Sequence, residues 1–113
     1  MYAQDLGYDN YLDYLNSNDF WQRVRYPVTD ARKVCEACTG TYNLMVHHGT
    51  YERLGSERMT DVFLVCGDCH QKIHDLEDTG VELMDATYRI LEEGRQRQKE
   101  LRDSAKVKEM VGW

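Results

Sequence analysis

A chain of 113 residues can bury one hydrophobic core but not two, so a single domain spanning 1–113 is expected. Its net charge of −6 weighs against strong non-specific binding to nucleic acid, where lysine and arginine replace the phosphate counterions. No apolar run approaches the ~20 residues of a membrane span, and residues 1–5 have neither the basic start nor the apolar stretch of a leader, so a cytoplasmic protein without a membrane partner is expected.

The charge is unevenly spread. Residues 31–74 carry five basic and five acidic side chains, and the excess acid lies in the flanks. Three parts are expected: N-terminal helices over 1–30, a core over 31–77 and a helical tail over 78–113.

In the first part, Tyr8, Tyr11, Leu12 and Leu15 recur at helical spacing, as do Phe20, Trp21 and Val24. Ser17-Asn18-Asp19 predicts a break and an N-cap between two helices, and Pro27 predicts the end of the second. The aromatic side chains of these helices are expected in the core rather than as a stacking surface.

The core part holds all four cysteines and all four histidines. Cys35-Glu36-Ala37-Cys38-Thr39-Gly40 reads as a tight metal-binding turn. Leu44–His48 and Val62–Val65 read as strands, with a polar loop over 49–60. Asp68, followed by Gln71, predicts the cap of a helix running through His74. In the tail, Thr79 and Glu82 form a capping-box pattern. Val81, Met84, Tyr88 and Leu91 make an apolar stripe, expected to pack on its own domain, with a partner helix as the other use. After Gly94 the run has little to bury.

Cysteine pairs in a reducing compartment suggest metal before disulfide. A two-residue gap lets both thiolates of a turn face one ion, so Cys35, Cys38, Cys66 and Cys69 suit one tetrahedral structural zinc. Redox cysteines and mixed cysteine–histidine sites are the competing readings. His70 and His74, four apart on a helix, share a face and can grip one cation. Zinc clamped near Cys38 and Cys69 would bring the strand bearing His47-His48 against that helix.

These motifs, Cys35-x-x-Cys38, Val46-His47-His48, and Asp61 through Cys66-x-x-Cys69-His70-x-x-x-His74, resemble the HNH nuclease family over about residues 33–76. The segment Thr50–Glu57 is similar to a loop of small phage and bacterial members. The resemblance implies an α+β fold: a ββα-metal, treble-clef-like finger with N-terminal helices and a long C-terminal helix, stabilised by zinc. It implies DNA phosphodiester hydrolysis, with His48 as general base and one catalytic divalent cation on His47, His70 and His74. Three imidazoles suit Zn2+, Ni2+ or Mn2+, and a site open to water also admits Mg2+. Asp61 stands where the family has asparagine; orienting the base from there, a carboxylate would raise its basicity. Arg53 and Arg58 are candidates for holding phosphate. DNA is the expected partner, in a bacterial or phage-infected cell.

Two further readings compete. One is a two-zinc interaction module in which every cysteine and histidine serves a structural ion; adjacent His47 and His48 are awkward joint ligands, since neighbours on a strand face opposite ways. The other is a non-catalytic scaffold or accessory protein of the same fold, for example in phage DNA packaging.

Overall fold

The computed structural model describes residues 7–110, with side chains to residue 104. Residues 1–5, read above for a leader, lie outside the described residues. The described residues form an α+β arrangement of two strands and several helices, with the strands in the middle of the sequence.

Helix α1 (Tyr11–Leu15) starts where Asn10 Oδ1 accepts from Asp13 N–H at 2.9 Å. Ser17 caps the next helical run as its sequence predicts, its Oγ accepting from Phe20 N–H. That run comprises α2 (Asn18–Phe20), a π-helical stretch (Trp21–Arg25) and α3 (Tyr26–Arg32). Pro27 therefore does not end the helix. It sits in the first turn after the π stretch, where Tyr26 N–H reaches back five residues to Trp21 C=O, and a proline lacking its own N–H is tolerated at the start of the following turns.

Strands β1 (Leu44–His48) and β2 (Val62–Cys66) pair antiparallel, with His47 opposite Phe63 and His48 opposite Val62. Opposed residues share a face, so the sheet separates two apolar clusters. Val62 and Leu64 pack with Tyr14, Phe20, Val24 and Val28 of the N-terminal helices. Phe63 and Val65 pack with Ile73 of α4 (Gly67–Asp78) and Ala86, Ile90 and Leu91 of α5 (Leu83–Met110). Burial on both faces explains why β2 reads as an unbroken apolar run rather than an alternating one.

Arg32 and Glu36 fasten the end of α3 to the sheet. Arg32 donates to Val62 C=O and Met59 C=O and pairs with Glu36, whose carboxylate accepts from Leu64 N–H at 2.6 Å.

Two cap assignments differ from the sequence reading. Helix α4 is capped by Cys66, whose Sγ accepts from Cys69 N–H, so Asp68 lies within the first turn instead of at the cap. Thr79 closes α4, donating to Leu76 C=O, and does not open α5. The tail's stripe packs on its own domain as expected through Val81, Met84 and Leu91, while Ala86, Thr87 and Ile90 are also buried and Tyr88 is half exposed. Beyond Gly94 the tail still finds a partner, Gln98 donating to Cys38 C=O at 3.1 Å. Gly94 itself lies so close to Ala37 that a Cβ would overlap the Ala37 carbonyl. No helix among the described residues is long and apolar enough to cross a membrane.

Candidate metal centre

Two short turns bring the cysteines together. In the first, Cys38 N–H points at Cys35 Sγ, while Cys35 N–H donates to Gly40 C=O and Thr39 takes a left-handed φ of 65° to close the turn. In the second, Cys66 ends β2 and Cys69 sits in the first turn of α4. All four sulfur atoms lie within 4.8 Å of one another, and Cys38 Sγ is 3.7 Å from Cys66 Sγ. Thiolates ~2.3 Å from one tetrahedral zinc stand ~3.8 Å apart, so the cluster could hold a zinc ion.

A second cluster stands on the same face of the sheet. His47 projects from β1, and His70 and His74 from successive turns of α4; one nitrogen from each lies within 4.8 Å of the others. His47 Nε2 is 2.8 Å from Thr87 Oγ1, whose own proton goes to Leu83 C=O. Thr87 must therefore accept from Nε2–H, and Nδ1 carries the lone pair of His47. His74 Nδ1 donates to Glu77 at 3.1 Å, which leaves its Nε2 facing His70 Nε2 at 3.0 Å. Nitrogens ~2.1 Å from one ion are ~3.0–3.4 Å apart for angles between octahedral and tetrahedral, so these donors fit a divalent cation. Burial, and then the neighbouring His70, His74 and His48, push His47 down to about 3; burial and His74 lower His70. Both rings are thus neutral at pH 7, the form that ligates metal.

His48 points the other way, as strand geometry requires. It is 1% exposed, and both ring nitrogens are engaged: Nε2 with Glu57 Oε2 at 2.8 Å, Nδ1 with Tyr11 Oη at 2.6 Å. The Glu57 side chain is buried and also accepts from Tyr14 O–H, Gly55 N–H and Arg23. Burial opposes its charge, yet hydrogen bonds from His48, its own backbone, Tyr14 and Arg23 hold the carboxyl down at about 2. An ionised Glu57 can only accept, which puts a proton on Nε2 of His48 and leaves Nδ1 to accept from the Tyr11 hydroxyl.

The expected contact between Asp61 and His48 is not made. The Asp61 carboxylate accepts from Arg53 and from Arg58 N–H, closing the loop before β2, and Arg53 lowers its pKa. Only its backbone comes near His48: Asp61 C=O accepts from Gly49 N–H, the next residue. Arg53 is accordingly committed to Asp61, while Arg58 is exposed. The carboxylate that meets His48 belongs to Glu57, which a polar loop sequence gave no reason to single out. Tyr11, read only as a helix-packing residue, and Thr87, given no role in the sequence reading, were also missed.

His47, His48, His70 and His74 share a cleft of about 360 Å3 with Tyr11 and Trp21. No protein-family model matches the chain, and neither curated proteins nor solved structures provide a match.

Proposed function

We propose that the protein is a metal-dependent endonuclease of the HNH type, with a ββα-metal fold, hydrolysing DNA phosphodiester bonds. One observation carries this reading: His47, a member of the three-imidazole cluster, and His48, held by a carboxylate, are neighbours on one strand, and all four histidines line one cleft. The separate four-cysteine cluster supports it, because a structural ion there leaves the histidines free for chemistry.

A divalent cation held by His47, His70 and His74 would supply positive charge to the phosphoryl and leaving oxygens. Thr87 and Glu77 hold two of those imidazoles in the required tautomers. Glu57 holds His48 with Nδ1 basic. Once the Tyr11 hydroxyl turns aside, Nδ1 takes a proton from water, whose oxygen attacks phosphorus as the bond to the 3′ oxygen breaks. A 5′-phosphate and, after protonation, a 3′-hydroxyl result.

A second reading, a non-catalytic scaffold of the same fold, is favoured by the near-complete burial of His48 and the occupation of both its nitrogens. Plasmid cleavage with EDTA, magnesium, manganese, nickel and zinc in parallel, beside His48→Ala, separates the two. The nuclease reading expects cleavage that needs metal and disappears in the variant. A folded, zinc-retaining His48→Ala that cuts as well as the parent would sink the base assignment; no cleavage with any metal favours the scaffold.

A further inference from the structure

The cleft has two unlike sides. The metal-ligating histidines stand on one; on the other are Leu12, Leu15, Phe20 and Trp21 of the N-terminal helices. Trp21 and Leu12 were expected to be packing residues, but Leu12 is 64% exposed and Trp21 is only partly buried. The Arg25 guanidinium lies 4.5 Å from the centre of the Trp21 ring, and among the described residues it is the only lysine or arginine lining the cleft.

We propose that this cleft binds one unpaired nucleotide, its base against Trp21 and Leu12 and its phosphate charge met by Arg25, so that single-stranded DNA is the preferred substrate. The proposal rests on the nuclease reading for the word substrate, but not for binding.

Three features favour this occupant over a duplex. The volume, about 360 Å3, is at the small end of pockets that hold organic ligands, and suits a single nucleotide. The lining pairs an aromatic surface with one cation, Arg25, the combination that holds an unpaired base and its phosphate. The charge is the third: a duplex binder typically neutralises ~6–10 phosphates, whereas a chain of net charge −6 with one arginine at the cleft is equipped for one or two.

The test uses the full zinc-loaded chain carrying Trp113→Phe, which leaves Trp21 as the single tryptophan. Its fluorescence is titrated, without added magnesium or manganese, with a phosphorothioate dT8 strand and with a blunt 16-base-pair duplex. The strand should quench Trp21 and bind at least tenfold more tightly than the duplex. Leu12→Glu, at an exposed position that cannot disturb the core, should weaken strand binding about tenfold or more, and Arg25→Gln should flatten its salt dependence by about one phosphate. Equal or tighter binding of the duplex overturns the proposal, as does strand binding that leaves Trp21 unquenched and ignores Leu12→Glu. The nuclease reading fails separately: strand binding without cleavage under any metal sinks the nuclease and keeps the pocket, whereas duplex cleavage with weak strand binding does the reverse.

Discussion

The Tyr11 hydroxyl donates a 2.6 Å hydrogen bond to Nδ1 of His48, closing the one imidazole nitrogen that Glu57 leaves free. The two contacts differ in weight. Tyr11→Phe removes one neutral donor from a buried acceptor and should cost about 1–2 kcal/mol. Glu57→Ala strands His48, Tyr14 and Arg23 together and should cost about 3–5 kcal/mol. Urea unfolding of the two variants checks the order. A Glu57→Ala variant within 1 kcal/mol of the parent would mean that the carboxylate does not organise this lobe.

The same carboxylate predicts an acid limit. Glu57 is held at about 2 in the folded chain, against 4.5 for an ordinary glutamate. Because the folded state binds this proton more weakly than the unfolded state, the stabilisation is complete above pH ~4.5, declines as pH falls, and is gone below about 2. Stability measured across that window should fall in the parent and fall less steeply in Glu57→Gln. Parallel curves would place the acid sensitivity elsewhere.

Much of the sheet and both clusters were legible because their signals are local. Apolar runs give β1 and β2 within a residue, and paired cysteines announce their turns. The partners of the histidines were not legible, since each comes from a distant element: Tyr11 is 37 residues from His48, and Thr87 is 40 from His47. Asp61 was misjudged for a related reason. Its place in the sequence raises the expectation of a carboxylate beside His48, but does not show that Arg53, eight residues back, claims its oxygens. Pro27 misled because a π turn absorbs it, and a π turn has no simple sequence pattern.

Metal removal should divide the two clusters. One tightly held zinc per chain should survive His70→Ala and be lost in Cys69→Ser, with collapse of the far-ultraviolet circular dichroism only in the latter. Metal content after passage through a mild chelator provides the measurement. Retention of that tight ion by Cys69→Ser would refute the four-cysteine assignment.

Gly94 distinguishes a docked tail from a free one. In an exposed helix, glycine to alanine gains about 1 kcal/mol. Here the added methyl meets the Ala37 carbonyl beside the first cysteine turn, and a backbone atom cannot step aside as a side chain can. Overpacking of about 1–3 kcal/mol should outweigh the propensity, so Gly94→Ala should lower the midpoint of thermal unfolding. A raised midpoint would show that α5 does not rest on the turn.

Thr87 and Glu77 hold two imidazoles of the histidine cluster, but in different surroundings. Thr87 is wholly buried and meets a buried Nε2–H, whereas the Glu77 side chain is 37% exposed and water can replace it. Thr87→Val keeps the shape and removes the acceptor, so His47 is free to flip or change tautomer. Affinity of the cluster for nickel should fall roughly 10–100-fold, while the cysteine-bound zinc is unaffected. Glu77→Gln should lose less than Thr87→Val. Calorimetric titration of zinc-loaded protein with nickel reads both; a larger loss from Glu77→Gln would mean that His74, rather than His47, sets the geometry of the site.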